Sequence, residues 1–285
     1  MDIEAQDLTF GVEIETAAPR SLVDSGQLTV GAYHCGRQVS YLPAGWKAER
    51  DGSIAFSPDE VPCEIVSPVL RGPEGLVQVA QVLQTLEAKG HRVNRSCGVH
   101  VHVGWKREWS SEALARLVTI VAYAERGLYA ITGTKNRERC RFCGGVRRYG
   151  NHKDAKAQLD RERYHALNLT NLAHGYKETV EFRVFSGSIS AVKVVGWVQV
   201  CLGLVERALN AKRSPTWDPK PLTGGWAKGG PGASETERLM GYLAWGECYA
   251  RIHNGRQFGW MSDVVPQETV KAEFRRLAAK YDTQA

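Results

Sequence analysis

Ser96-Cys97-Gly98-Val99-His100-Val101-His102-Val103-Gly104 is the stretch on which our prediction of the fold depends. Apolar and polar residues alternate along it, which is the period of a half-buried β-strand. On such a strand the three valines face a core, and His100 and His102 project together from the opposite face. Two neighbouring imidazoles can share a metal ion, but one such pair alone more often marks a polar face turned to solvent.

Two other segments repeat this alternation with complementary side chains. The segment FGVEIET (residues 10–16) places Glu13 and Glu15 on one strand face. The segment TVEFRVF (residues 179–185) likewise places Glu181 and Arg183 on one face. If the three strands line one sheet, the carboxylates repel each other unless cations bind between them. The three segments together therefore predict a metal site.

The composition indicates a folded globular protein, because 43% of the 285 residues are apolar and 24% are charged. No apolar run reaches the roughly 18 residues of a membrane span. The acidic start Met1–Glu4 lacks the pattern of a signal peptide. The seven cysteines are odd in number and have no disulfide-framework spacing, so we expect a reduced, cytoplasmic setting.

The net charge of +6 belongs to one segment, residues 135–163, which carries ten basic and four acidic side chains. This segment has no clear period and is predicted to be a loop or insertion with an anion-binding, locally basic surface. It contains Cys140 and Cys143, with His152 beyond them. A structural zinc ion needs four ligands and only three are near, so both cysteines are predicted to be dispensable for folding.

The order of elements predicts a single α+β domain over residues 1–285, with a curved antiparallel sheet and helices packed on one side. A short strand over residues 63–67 carries one more carboxylate, Glu64. Helices are predicted from Pro73 to Gly90 and over residues 112–131, 192–209 and 268–280. The C-terminal portion, residues 190–285, is therefore predicted to be helical.

Five pieces of the chain, taken in order, resemble the motifs of the amidoligase family. Members of this family are carboxylate–amine ligases with a glutamine synthetase-like catalytic fold. The pieces are FGVEIE at 10–15, DGSI at 51–54 with EIVSP at 64–68, CGVHVHV at 97–103, the run from Arg163 to Asn168, and EFRVF at 181–185. The resemblance implies that ATP phosphorylates a carboxylate and that an amine attacks the acyl phosphate, giving an amide, ADP and phosphate.

The resemblance also implies roles for individual residues, with Mg²⁺ or Mn²⁺ as the cations because the ligands are mostly hard oxygen atoms. Glu13, His100 and Glu181 would bind the cation on the nucleotide side. Glu15 and Glu64, with Asp51, would bind the cation beside the acceptor carboxylate. Arg183 and Arg163 would contact the transferred phosphoryl group, and His102 would position phosphate or substrate.

Two other classes of protein remain open from the sequence. A two-metal hydrolase would use the same carboxylates and histidines to activate water, without ATP. A nucleic-acid-binding module would use the basic segment and is the least favoured of the three. The chain has no G-x-x-x-x-G-K-[ST] motif, so ATP is not expected to bind to a P-loop. The sequence identifies neither the carboxylate, the amine nor the oligomeric state.

Overall fold

The computed structural model describes residues 3–220, 231–245 and 263–284. It has an α+β fold built on one sheet, in which every pair of named strands is antiparallel. The strands are β1 (Thr9–Pro19), β2 (Arg37–Gln38), β3 (Lys47–Glu49), β4 (Glu60–Val66), β5 (Leu70–Arg71), β6 (Gly98–Gly104), β7 (Leu167–Asn168) and β8 (Thr179–Ser186). The predicted fold class, α+β with an antiparallel sheet, is confirmed.

The strand order across the sheet is β2-β3-β4-β1-β6-β8-β7, and β5 pairs with the start of β1. The three strands predicted to carry the polar side chains, β1, β6 and β8, are therefore neighbours at the centre of the sheet. Strand β4 lies on the other side of β1 and brings the fourth polar segment beside them.

The helices in the described residues are α1 (Arg20–Asp24), α2 (Gly72–Ala88), α3 (Ser111–Ala130), α4 (His152–Leu159), α5 (Thr170–Ala173), α6 (Ala191–Asn210), α7 (Pro231–Tyr242) and α8 (Gln267–Asp282). The helices predicted in the middle and at the end of the chain correspond to α2, α3, α6 and α8. No helix in this part of the chain is both long and apolar enough to cross a membrane. The stretches 221–230 and 246–262 of the predicted helical portion lie outside the described residues.

Local sequence explains where the long helices begin and end. Pro73 lies in the first turn of α2, where the missing N–H costs no hydrogen bond. Gly90 follows the end of α2 with a φ of +80°, a left-handed conformation that favours glycine. Helix α3 begins after Ser110, whose side chain accepts a hydrogen bond from the backbone N–H of Ala113 at 3.2 Å.

The apolar faces of the central strands pack in one core with α2, α3 and α6. Val12, Val101 and Phe182 are at most 1% exposed and belong to the same buried cluster as the apolar side chains of these helices. Burying each such side chain contributes about 1.5–3 kcal/mol to folding. Because this packing fixes one face of the sheet against helices, the alternating polar side chains of β1, β6 and β8 all face the other way.

The basic segment 135–163 contains α4 and is tied to α3 by buried hydrogen bonds. Tyr129 of α3 donates its hydroxyl hydrogen to the backbone oxygen of Cys143 at 2.7 Å. The buried carboxylate of Glu125 accepts hydrogen bonds from the backbone N–H groups of Val146 and Arg147. Cys143 is fully buried, and among the described residues no group of metal ligands includes it or Cys140.

Burial raises the pKa of Glu125 to about 7, although its two backbone donors act in the opposite direction. In the unfolded chain a glutamate titrates near pH 4.3. The folded state therefore binds the extra proton between these values, and the stability that this proton provides is lost as the pH rises through about 7.

Glu125→Gln should remove this dependence, because glutamine stays neutral and keeps an oxygen acceptor for Val146. Relative to Glu125→Gln, the parent protein should lose up to about 3 kcal/mol of unfolding free energy between pH 4.5 and pH 8. Urea unfolding of both proteins across this range measures the difference. Parallel pH profiles would show that the Glu125 carboxyl titrates alike in the folded and unfolded states.

Candidate active site

The pairing of three strands brings the predicted polar side chains together. In the register of the sheet, Glu13 of β1 lies opposite His100 of β6, and Glu15 of β1 lies opposite Glu64 of β4. Cross-strand partners are about 5 Å apart and on one face, so these four side chains meet. The alternation that predicted each strand thus produces a cluster only because β1 lies between β4 and β6.

Strand β8 completes the cluster and contains a bulge. Glu181 lies opposite His102, but between the pairs Val101–Phe182 and Val99–Phe185 β8 has one residue more than β6. Strict alternation would place Phe185 on the same face as Glu181. The extra residue instead turns Phe185 to the core, where its ring stacks on Trp197 with centroids 4.9 Å apart. Bulges of this kind are common beside active sites.

His100 lies at the centre of the cluster. Its Nδ1 atom lies 3.3 Å from Glu13 Oε2, 3.7 Å from Glu181 Oε1 and 3.8 Å from Glu64 Oε1. Its Nε2 atom lies 3.4 Å from Glu15 Oε1. The His100 side chain is almost completely buried, so four carboxylates surround one imidazole that water scarcely reaches.

Candidate metal ligands form three overlapping groups, and within each group the ligand atoms lie within 4.8 Å of one another. The groups are Glu13, His102 and Glu181; Glu13, Glu64 and His100; and Glu15, Asp51 and Glu64. Glu13 belongs to the first two groups, and Glu64 belongs to the last two. The cluster is therefore a row of adjoining sites rather than one isolated site.

The pKa values of two carboxyls in the cluster shift in opposite directions. Burial, together with the charges of Glu13 and Glu15, raises the pKa of Glu64 well above its ordinary value. Burial also opposes ionisation of Glu13, but His102 and His100 outweigh it and hold the pKa of Glu13 well below its ordinary value. The neighbouring carboxylates thus outweigh the one imidazole within reach of Glu64, which is the condition under which a bound cation is most favourable.

The geometry of His102 supports a metal ion. Its buried Nε2 atom lies 3.1 Å from Glu13 Oε1 but is not aligned for a good hydrogen bond to that oxygen. A buried nitrogen without a partner is costly unless something binds to it. Carboxylate oxygens with one or two imidazole nitrogens are a ligand set suited to Mg²⁺ or Mn²⁺.

Two cavities border opposite ends of this row. Glu13 and His102 line the first, which we call the outer cleft; it has a volume of about 480 Å³ and also includes Phe10, Pro68, Lys177 and Thr179. Glu15 and Asp51 line the second, which we call the arginine cavity; it has a volume of about 140 Å³ and also includes Arg137, Arg163, Arg183 and Phe142. The cluster thus lies between a larger cleft and a small cationic cavity.

A family model described as "Putative amidoligase enzyme" matches residues 6–150 and 146–205, which include every motif segment of the site. The chain belongs to this amidoligase family. Membership supports a carboxylate–amine ligase, the reaction class that the sequence motifs predict.

Solved structures similar to this amidoligase include two of one protein. "GmaS/ADP complex-Conformation 1" is 13% identical, with a TM-score of 0.42, and the match covers 98% of the amidoligase and 70% of that chain. "Apo GmaS without ligand" is 11% identical, with a TM-score of 0.39, and the match covers 96% and 66% respectively. No curated protein matches the sequence.

The two arginines that the motifs predict for the site, Arg183 and Arg163, lie at different distances from the carboxylates of the amidoligase. Arg183 is buried, and its Nη1 atom donates a hydrogen bond to Glu181 Oε1. Arg163 lies at the wall of the arginine cavity with an exposed side chain, and its Nη1 donates to the Tyr33 hydroxyl at 3.0 Å. Arg163 therefore does not contact the carboxylate cluster, whereas Arg183 does.

Two groups inside the sequence motifs, to which the sequence analysis gave no role, orient the carboxylates of the amidoligase. Asn168 Nδ2 donates to Glu181 Oε2, and the backbone N–H of Gly98 donates to Glu15 Oε2, both at 2.6 Å. In both glutamates the Oε1 atom is then directed to His100. Asn168 alternates with Leu167 and Leu169, a pattern that could have indicated a residue facing the site.

Proposed function

We propose that this amidoligase joins a carboxylate to an amine with hydrolysis of ATP to ADP and phosphate, through an acyl phosphate. The observation that carries the proposal is the row of three overlapping ligand groups with the buried guanidinium of Arg183 against it. A guanidinium at this position can bind the oxygens of a transferred phosphoryl group, as the ligase reaction requires.

The two ends of the row suit the two halves of this reaction. Glu13, His102 and Glu181 would hold the cation that binds the ATP phosphates, with the nucleotide in the outer cleft. Glu15, Asp51 and Glu64 would hold the cation that binds the acceptor carboxylate, with the acceptor in the arginine cavity. When bound, Mg²⁺ or Mn²⁺ supplies positive charge that draws the phosphate and carboxylate oxygens together.

The remaining chemistry follows from the residues between the cavities. A carboxylate oxygen of the acceptor attacks the γ-phosphorus of ATP, and the bond from that phosphorus to the β-phosphate oxygen breaks. Arg183 stabilises the charge that develops on the transferred oxygens. The neutral amine then attacks the acyl carbon, the bond from that carbon to the phosphate oxygen breaks, and the nitrogen loses one proton, which gives the amide and phosphate. The burial of the cluster keeps water from the acyl phosphate, which would otherwise hydrolyse.

The proposal predicts that ADP appears only when ATP, a divalent cation, a carboxylate and an amine are all present. ADP release across a panel of carboxylates and amines, with mass detection of the amide, measures this. The release should stop in EDTA and return with excess Mg²⁺ or Mn²⁺. Product that forms without ATP would favour the hydrolase, and product that persists in EDTA would exclude the proposed cations.

A further inference from the structure

Arg137 is a buried cation that the protein leaves almost unpaired. Arg137 is 4% exposed. Among the described residues its guanidinium donates one hydrogen bond, from Nη2 to the backbone oxygen of Arg183 at 2.5 Å. Its Nε atom is buried without a partner, and it forms no ion pair with any described carboxylate. A buried charge in this state is strongly unfavourable unless an anion binds to it.

The guanidinium of Arg137 is held in one place. The backbone oxygen of Arg137 accepts hydrogen bonds from the thiol of Cys143 at 2.7 Å and from the N–H of Cys140 at 3.1 Å. Its Nη1 atom packs against Gly98, where an added Cβ would lie only 3.0 Å away. The Arg137 side chain is therefore fixed beside Gly98. An anion that neutralises the guanidinium must bind at that position.

The arginine cavity is where that anion can bind. Arg137 lines it together with Glu15 and Asp51, which belong to the ligand group assigned above to the acceptor. Arg183 lines the same cavity, but its charge is already paired with Glu181. Gly98, which Arg137 contacts, donates its N–H to Glu15, so Arg137 lies at the Glu15 end of the cluster.

We propose that Arg137 binds a second anionic group of the acceptor, so that the acceptor is a compact acid with two carboxylates. The inference rests on the proposed function, because it takes the arginine cavity as the acceptor site. One carboxylate lies at Glu15, Asp51 and Glu64 and reacts, while the other pairs with Arg137 and does not. The volume of about 140 Å³ and the rings of Phe142 and Tyr164 in the wall limit the acceptor to a short carbon chain.

The experiment is calorimetric binding of the unbranched diacids from malonate to adipate, each beside its monoamide, in Mg²⁺ without nucleotide. A diacid and its monoamide have the same shape and differ in one charge. We expect at least one diacid to bind the parent protein about tenfold or more tightly than its monoamide. Arg137→Gln should remove this preference and leave the affinity for the monoamide within about twofold.

Arg139→Gln is the matched control, because Arg139 is an exposed arginine of the same segment. It should keep the preference for the diacid. If Arg137→Gln does not fold, Arg137→Lys replaces it and should keep part of the preference, because lysine retains the charge without the planar fork.

Equal affinity of the parent protein for each diacid and its monoamide would overturn the assignment, as would no binding of any of these acids at millimolar concentration. A loss of inorganic phosphate binding in Arg137→Gln, with the diacid preference unchanged, would assign Arg137 to the phosphoryl group instead. Because no nucleotide is present, a protein that prefers the diacid but never releases ADP would refute the proposed function alone.

Discussion

Glu13→Gln should reduce amide formation about a thousandfold, which corresponds to about 4 kcal/mol of transition-state stabilisation. Glu13 belongs to two of the three ligand groups, so its loss affects two adjoining candidate cation sites at once. His102 and His100 keep the Glu13 carboxyl ionised, and an ionised oxygen is what a hard cation binds. A neutral amide at this position has the same shape and lacks the charge.

The same change separates cation binding from folding. In the parent protein Mg²⁺ or Mn²⁺ should raise the thermal midpoint of unfolding, because a ligand that binds only the folded state stabilises it. In Glu13→Gln most of that rise should disappear while the cation-free protein stays folded. Glu87→Gln, an exposed glutamate on α2, is the control and should keep both the rise and the activity. A normal cation response in Glu13→Gln would place the cations elsewhere.

Arg183→Lys should lower the turnover number about a hundredfold, or about 3 kcal/mol, with a much smaller change in nucleotide affinity. Lysine keeps the positive charge beside Glu181 but cannot form the planar fork that matches phosphoryl oxygens. If the fork acts only on the transferred group, its loss falls on the transition state rather than on bound ATP.

A purely structural role for Arg183 predicts a different result. Arg183 and Glu181 form a buried ion pair, which a lysine could largely preserve, so turnover would remain near that of the parent protein. The turnover number, the nucleotide dissociation constant and the unfolding free energy of Arg183→Lys distinguish the two roles. Arg107→Lys, in the exposed pair with Glu178, serves as the control and should change none of them strongly.

The alternation of residues was sufficient to predict the central strands and the face on which each polar side chain lies. It could not predict register, because register depends on which strands pair. The resemblance therefore grouped His100 with Glu13 and Glu181, whereas the structure also brings His102 beside the same two glutamates. His100 is within reach of Glu15 and Glu64 as well as of Glu13 and Glu181.

Arg137 shows why the rest of the site was out of reach from sequence. It lies in a segment with no apolar period, among nine other basic residues, so nothing in the pattern distinguishes it from Arg139 or Arg141. In the structure Arg137 is the buried one of these ten basic residues, in a segment that Tyr129 and Glu125 anchor to α3. Arg163 is the opposite case. It lies in one of the motifs that resemble the family, yet its side chain is exposed at the edge of the arginine cavity.

Attack of a carboxylate oxygen on ATP leaves an isotopic trace in the released phosphate. A carboxylate substrate found by ADP release is labelled with ¹⁸O in both oxygens and converted to the amide in ordinary water. If an acyl phosphate forms, the oxygen that the amine displaces leaves with phosphorus, so each released phosphate carries one ¹⁸O atom and the amide retains the other. Phosphate that forms together with the amide but contains only oxygen from ATP and water would exclude an acyl phosphate intermediate.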